Sequence, residues 1–209
     1  MSIPVSEILE KASIVLNDTA FVRWTKEELI GWLNDAASEV VLRRPPAHAV
    51  TANVALVAGI LQSIPAGGIE MLDISRNVGG NAVRRTDRQL LDDQKPDWPT
   101  MRQSSSIKHY TFDERTPTVF YVYPPAKVGT QVEMLYSSPP ALVATDADTL
   151  DLDRAYLSPL VSFMLYRALA KDSEYANGAV AAAHFQAFSE ALGSQNQTSL
   201  AVSPNSVSV

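Results

Sequence analysis

The residue types that most often carry chemistry are scattered through this 209-residue sequence, without the spacing that a reaction or a metal ion requires. His48, His109 and His184 each stand alone, with no acidic or histidine partner four residues further along a predicted helix. The lack of cysteine excludes disulfides, thiolate zinc sites and thiol nucleophiles, and it leaves these histidines as the only nitrogen ligands for a metal. We therefore assign the histidines packing or surface roles and predict no catalytic, metal or cofactor site.

Two further patterns resemble ligand sites without completing them. Four aspartates lie within residues 146–153, but an EF-hand loop also needs a glycine and a glutamate at fixed positions. The acidic run instead predicts a solvated linker and a helix N-terminus, where negative charge is favourable. The glycine pairs at 67–68 and 79–80 lack the Lys-Ser/Thr of a phosphate-binding loop and predict turns. A hydrolase has no support either, because the sequence has no Gly-x-Ser-x-Gly elbow.

Arg84, Arg85 and Arg88 form the one dense basic cluster, and on a short helix they would share a side. Two interpretations stay open: a solvated face with nearby aspartates as counter-charges, or a contact with a partner protein or passing DNA. Aromatic residues between Tyr110 and Tyr123 also allow two interpretations, because aromatics on a sheet can stack on bases. Their alternation along strands of an acidic protein favours the core of the sheet.

Composition and charge narrow the class of protein. Hydrophobic residues make up 46% of the chain and charged residues 19%, which is enough apolar material to fold. The formal net charge is −6, which argues against a surface built to grip nucleic-acid phosphates. No apolar run approaches the ~20 residues that cross a bilayer. The first residues lack the basic start of a signal peptide, so we expect a cytosolic product without a membrane partner.

Helical patterns occur at both ends of the chain. The first helix should follow Pro4 at an N1 position, and the second should begin with a capping box formed by Thr25 and Glu28. Pro45 and Pro46 should end the second helix. Two more helices are predicted after residue 150, and the last of them should run from about Glu174 and end at Gly193 as the C′ residue. Beyond it, Gln195 to Val209 carries no charge and no helical stripe, which predicts a flexible tail.

Between these helices, the pattern from about Thr51 to Ser137 indicates short strands of an antiparallel sheet. Strands at 60–64 and 69–75 should form a hairpin through the turn at 65–68. A short helix is predicted near 86–93, followed by a long excursion from Gln94 to Ser106. Further strands are predicted at 51–57, 107–112, 118–123 and 131–136, the last of them after a turn from Pro124 to Gly129.

The predicted fold class is therefore α+β, with a helical body from the N- and C-terminal helices and an inserted antiparallel β region. The physical reason is that two amphipathic helices at each end cannot bury their stripes separately. The predicted domain bounds are 1–50 for the N-terminal helices, 51–137 for the β region with its long loops, 138–193 for the C-terminal helices, and 194–209 for the tail.

Several motifs, taken in order, resemble the head-to-tail adaptor (connector) proteins of short-tailed and related bacteriophages. The first is Trp24-Thr-Lys-Glu-Glu-Leu-Ile-Gly-Trp-Leu-Asn-Asp-Ala in the second helix. Shorter matches follow at 59–65, 72–80 and 96–99. The last are Leu165-Tyr-Arg-Ala-Leu-Ala-Lys-Asp-Ser-Glu-Tyr and the segment 185–193. Together these pieces cover roughly residues 20–193.

The resemblance implies a structural virion protein at the head–tail junction. Such proteins form a ring, commonly of twelve copies, that docks under the portal and offers an attachment surface to tail or nozzle proteins. Genomic DNA would pass through the lumen without sequence-specific binding. Under this hypothesis, the candidate partner-interface residues are Arg84, Arg85, Arg88, Trp98, Leu200, Val202, Val207 and Val209. The excursion at 94–106 is the best candidate for tail contact.

Alternatives stay open at two levels. Another virion ring, such as a tail terminator or a tail-tube component, fits the same features, and a small soluble enzyme is the remaining class. For Arg167 in the last motif, the resemblance is compatible with a network between subunits or with an ion pair inside one subunit, and we favour the ion pair.

Overall fold

The computed structural model describes residues 2–171 and 177–202. The chain divides into two compact units. One, the helical unit, consists of residues 1–47 and 140–209, and the other, the β unit, consists of His48–Pro139. The observed architecture confirms the predicted fold class, because helices from both ends of the chain form one unit and mostly antiparallel strands form the other.

The elements follow one another in a simple order. The helices are α1 (Val5–Val15), α2 (Lys26–Arg43), α3 (Arg88–Gln94), α4 (Leu157–Ala170) and α5 (Gly178–Val202). The strands are β1 (Ile3–Pro4), β2 (Ala49–Ala55), β3 (Gly59–Ser63), β4 (Glu70–Asn77), β5 (Arg84–Arg85), β6 (His109–Phe112), β7 (Val119–Ala126), β8 (Gln131–Ser137) and β9 (Thr149–Leu150). Within the part of the chain that the structure describes, every helix is too short or too polar to span a bilayer.

The first two helices begin close to their predicted starts. Pro4 lies at the N-cap of α1 rather than at N1, because it also pairs with Thr149 in the short β1–β9 ladder. At α2, the Thr25 Oγ1 accepts the Glu28 N–H at 3.3 Å, which is one half of the predicted capping box. The Glu28 carboxylate instead accepts a hydrogen bond from the Lys171 ammonium. It therefore joins two helices as well as standing in the first turn of one.

The core of the helical unit lies where α2, α4 and α5 pack together. The Arg43 guanidinium on α2 lies 5.3 Å from the Phe185 ring and 5.1 Å from the Phe188 ring on α5. Phe188 is fully buried and packs edge-on against Phe163 of α4, with 5.1 Å between ring centroids. The two ends of the chain thus share one core, as the amphipathic patterns predict.

The last helix differs from its predicted bounds at both ends. Its described part begins at Gly178 and continues past Gly193 to Val202, so Gly193 is not a C′ residue. Glycine inside a helix costs only about 1 kcal/mol relative to alanine, and no proline occurs between Gly193 and Pro204. The expected helix start at Glu174 and the last residues of the tail, 203–209, lie outside the described residues.

The β unit contains two sheets that enclose one core. The strand orders are β2-β8-β4 and β3-β7-β6-β5, and every pair is antiparallel except the two-residue β5–β6 pair. Side chains from both sheets meet in one buried cluster, which includes Met71, Ile74, Phe120, Val122 and Met134. Tyr110, Phe120 and Tyr123 are buried, which favours the core interpretation of the aromatic residues over base stacking.

The predicted hairpin at 65–68 is wrong. The turn itself forms, because the Gly68 N–H donates to the Pro65 carbonyl oxygen at 3.0 Å. However, β3 pairs with β7 in one sheet, whereas β4 pairs with β8 in the other. Gly67 has φ +84° at the third turn position, as in a type II turn. Turns of that type splay the flanking strands instead of pairing them.

A second correction concerns the predicted turn from Pro124 to Gly129. Strand β7 continues through both prolines to Ala126, and only residues 127–130 turn. A proline has no N–H to donate, but neither Pro124 nor Pro125 has a partner in the ladders of β7, so no ladder hydrogen bond is lost there. The Pro125 carbonyl oxygen accepts the Ser104 N–H at 2.8 Å. The excursion after α3 is therefore bound to this end of β7. We refer to residues 88–106, which comprise α3 and the excursion that follows it, as the cover.

Candidate interaction surface

The basic cluster does not form the single helical face that the sequence predicts. Arg84 and Arg85 lie on β5, and only Arg88 lies on α3. Neighbouring residues of a strand point to opposite faces of the sheet, so these two arginines diverge. The Arg85 guanidinium lies 4.5 Å from the Phe112 ring, and the Arg88 guanidinium lies 5.2 Å from the Tyr121 ring. Asp92 is a counter-charge for Arg88 at 3.7 Å.

Trp98 holds the cover on the sheet, and its side chain is not on the surface. It is 2% exposed and packs with Leu91 and Tyr123. Its Nε1–H donates to Asp92 Oδ1 at 2.8 Å. The ring is buried at the 3₁₀ turn Trp98–Thr100, and a partner contact at Trp98 stays a prediction.

The other predicted positions are only partly covered by the structure. The backbone at Leu200 and Val202 belongs to α5, whereas Val207 and Val209 lie outside the described residues. His48 and His109 lie in the β unit, where the His48 Nδ1 is 2.7 Å from the Ser138 carbonyl oxygen. Among the described residues, no group of three or more histidine or acidic side chains could hold a metal ion.

Acidic residues at 146–153 form a local ion pair and hydrogen bonds to nearby backbone N–H groups. Asp146 forms an ion pair with Lys26 at 2.6 Å, and the hydrogen bond from this ammonium lowers the pKa of the Asp146 carboxyl. The Asp148 carboxylate accepts the backbone N–H groups of Ala144 and Thr145, both at 2.8 Å, and these bonds lower its pKa. These bonds therefore stabilise the chain segment that precedes α4.

Two segments that carry the sequence resemblance meet at a groove between α2 and α4. Glu28, Trp32 and Asp35 recur on one side of α2 at the spacing of neighbouring helical turns. Glu28 pairs with Lys171, and Asp35 pairs with Arg167 at 3.5 Å. The favoured interpretation of Arg167, an ion pair inside one subunit, is confirmed.

We call this depression the Trp32 groove, and its lining residues are Glu28, Trp32, Tyr166, Arg167, Ala170 and Lys171. The Tyr166 ring is held in place by Phe163 and Phe185, whose ring centroids lie 5.7 and 5.0 Å away. The two ion pairs are half exposed, and such pairs contribute only about 0–1 kcal/mol each. Their chief effect is to fix the groove walls and to pair the charges there.

A second surface of the helical unit comes from the loop between α1 and α2. The Asp18 carboxylate accepts three successive backbone N–H groups, from Val22, Arg23 and Trp24, at 3.0, 2.8 and 3.0 Å. These bonds, the one from Trp24 foremost, lower the pKa of Asp18. Asn17 and Phe21 both have φ 54°, which is common for asparagine but strained for a bulky residue.

This Asp18 loop presents apolar side chains outward. Val22 is 82% exposed, and Ile14 and Val15 at the end of α1 are 60% and 58% exposed. Ile14 and the half-buried Phe21 border one common depression. We call these four residues the apolar patch. The sequence gives only a weak signal for it, because Asn17-Asp18 indicates the end of a helix but not the loop that follows.

Comparison with known proteins gives one family. A family model described as SU10 adaptor protein matches residues 3–208, which include the apolar patch, the Trp32 groove and the whole β unit. No curated protein matches the sequence. Since the match extends over nearly the whole chain, this protein belongs to the SU10 adaptor protein family.

Proposed function

We propose that this chain is a structural protein of a bacteriophage virion and joins the head to the tail as a ring of identical subunits. The family match over residues 3–208 carries this proposal. A ring of commonly twelve copies would dock on the portal protein and present its other side to tail or nozzle proteins. The chain would act after synthesis in the bacterial host, at the head–tail junction.

The charge of the chain supports a lumen through which DNA slides. The formal net charge is −6, and identical acidic subunits repel phosphates instead of releasing counterions on binding them. The separation of Arg84, Arg85 and Arg88 over a strand and a helix fits this view, because it leaves no continuous basic track at that site. We propose that genomic DNA is a passing cargo and not a sequence-specific ligand.

The predicted tail-contact segment, 94–106, lies within the cover, and we propose that its exposed residues make the contact. Trp98 and Met101 pack on the sheet, whereas Arg102 and Gln103 are exposed. The Ser104 N–H donates to the Pro125 carbonyl oxygen near the end of β7, and the Ser104 carbonyl oxygen accepts the N–H of Lys127, which follows β7. Such a segment offers a partner a fixed polar surface, which lowers the entropy cost of binding. The charge-free segment that contains Val207 and Val209 is proposed to contact the portal or a neighbouring subunit.

Complementation tests the proposal. Filled heads made without this protein should fail to bind purified tails, and addition of the full chain should restore infectious particles. Arg102→Glu combined with Gln103→Glu should still dock on the portal but bind tails poorly, whereas the same charge changes at Arg115 and Asn81, which are exposed in the β unit outside the cover, serve as a matched control. Restoration of infectivity by the Arg102 and Gln103 variant at wild-type level would contradict the role of the cover. If restoration of infectious particles instead required the chain to turn over a substrate, the enzyme alternative would be favoured.

A further inference from the structure

We propose that the free edge of strand β2 pairs with the same edge of a second copy of this chain, so that two copies share one antiparallel sheet. Strand β2 (Ala49–Ala55) stands at the end of the order β2-β8-β4. Among the described residues, β8 is its backbone partner on one side, and the other side has none. An unpaired strand edge is a template for another strand.

The hydrogen bonds at both ends of β2 fix which of its backbone groups face outward. The His48 carbonyl oxygen accepts the Ser138 N–H at 3.3 Å, just before the strand. The Leu56 N–H donates to the Thr130 carbonyl oxygen at 2.8 Å, just after it. Bonding alternates along an antiparallel pair, so the even-numbered residues of β2 bond to β8. The N–H and C=O groups of the odd-numbered residues therefore point away from β8.

Strand β2 lacks the features by which natural proteins protect a strand edge. Its sequence, Ala-Val-Thr-Ala-Asn-Val-Ala, has no charge, proline or glycine, and its ladder with β8 has no register shift. In contrast, the edge strand β4 has three charged residues and two register shifts. In the other sheet, the β3 ladder also shifts, and β5 consists of two arginines. Charge, irregularity and short length disfavour pairing with another chain, and β2 has none of these.

The sequence of β2 selects a second copy as the partner. It reads the same in both directions except that Thr51 and Asn53 exchange places. With Ala52 opposite Ala52 of the other copy, all seven residues pair, and Val50 lies opposite Val54. Thr51 lies opposite Asn53 on the exposed face of the sheet, so two polar side chains meet there. No charged side chain faces another across this pair.

The pairing is continuous and supplies as many hydrogen bonds as a protein interface needs. The outward groups of odd-numbered residues meet each other in four pairs, and each pair exchanges two bonds, which gives about eight. A typical interface has about ten direct hydrogen bonds. The two three-stranded sheets become one sheet of the order β4-β8-β2-β2-β8-β4, and sheets of about this size are common.

This contact is separate from the proposed ring. A two-fold contact uses the same surface on both copies and closes on two of them, whereas a ring needs a contact between two different surfaces. The pairing therefore concerns the free chain before it joins a ring.

The absence of cysteine makes a direct test possible. Ala52→Cys places two thiols on opposite sides of the two-fold axis, where facing Cα atoms lie about 4.5 Å apart and a disulfide fits. Leu61→Cys is the matched control, because Leu61 lies on the edge strand β3 and is 51% exposed, whereas Ala52 is half-buried. Random collision therefore favours the control.

The full chain at about 10 µM is oxidised in a glutathione buffer. Paired thiols experience an effective concentration near 1 mM, so the Ala52→Cys dimer should form at least about tenfold faster than the Leu61→Cys dimer. Equal rates would overturn the proposal. A ring on the portal without this disulfide refutes the pairing alone, whereas the disulfide without a ring from the wild-type chain refutes the ring alone.

A charge exchange tests the register without a crosslink. Thr51→Lys combined with Asn53→Lys places like charges opposite each other and should leave the free chain monomeric in sedimentation velocity. Thr51→Lys combined with Asn53→Glu places opposite charges there and should keep the dimer. Both positions are exposed, so equal thermal unfolding of the two variants should show that folding is unaffected. The same mass for both variants would contradict the proposal.

Discussion

At the scale of single residues, Asp18 is the side chain on which the loop between α1 and α2 depends. It accepts three backbone N–H groups, and folding lowers its pKa below the ordinary value of 3.8. A carboxyl with a lowered folded-state pKa contributes stability above its unfolded-state pKa and loses that contribution as pH falls through the folded-state value. The loop should therefore be stable at neutral pH and weaken below about pH 4.

The substitution Asp18→Asn tests this role. It keeps one oxygen acceptor but removes the charge, so the thermal unfolding temperature should fall at pH 7 and the difference from wild type should shrink as pH approaches 3. Asp93→Asn, at an exposed carboxylate on α3, is the matched control and should change little. A difference between wild type and Asp18→Asn that stays constant from pH 7 to pH 3 would contradict this assignment.

Trp98 and Trp32 offer a contrast between a buried and a surface tryptophan. Trp98 is 2% exposed, with its Nε1–H bonded to Asp92. Trp98→Ala should lower the free energy of unfolding of the β unit by about 3–5 kcal/mol. Trp32→Ala removes a half-buried ring in the groove and should cost clearly less. Urea denaturation followed by circular dichroism measures both, and equal losses would show that the cover is not anchored through Trp98.

At the scale of elements, Gly193 decides whether α5 ends or continues there. An added Cβ at Gly193 meets nothing within 4 Å, and the helix runs on to Val202. Gly193→Ala should therefore raise the free energy of unfolding by about 0.5–1 kcal/mol. Gly67→Ala is the contrasting variant, because φ +84° at Gly67 strains any residue with a Cβ, and it should destabilise the protein. Destabilisation by Gly193→Ala, measured by thermal unfolding, would restore the C-cap interpretation.

Local signals account for the elements that sequence reasoning predicts well. Thr25 accepts the Glu28 N–H as its capping pattern requires, and the strand runs in the β region match observed strands within a few residues. These features depend on neighbours along the chain. Helical stripes at both ends also predict a shared helical unit, because no single end can bury its own apolar face.

Other features depend on contacts that a sequence does not display. The turn at Gly67 is recognisable from the sequence. Whether β3 pairs with β4 or with β7, however, depends on the twist of that turn and on which strands are available as partners. Arg84 and Arg85 belong to a two-residue strand that exists only because β6 lies beside it. Phe21 has no sequence signal for its left-handed conformation, which requires the Asp18 carboxylate in a folded loop.

At the scale of the whole molecule, the chain is proposed to be one repeating part of a larger assembly. The family match covers residues 3–208. The β unit carries the cover, which is the proposed contact with the tail. This proposal predicts that variants of the cover impair tail attachment and leave ring formation intact.

The most direct measurement is the mass and symmetry of the particle that the full chain forms with purified portal protein. Native mass spectrometry and negative-stain class averages should show a closed ring of this chain stacked coaxially on the portal, with the twelvefold symmetry expected of an adaptor. A sixfold ring that does not bind portal would favour a tail terminator. A monomer that stays free at every portal concentration would contradict the assignment as a head-to-tail adaptor.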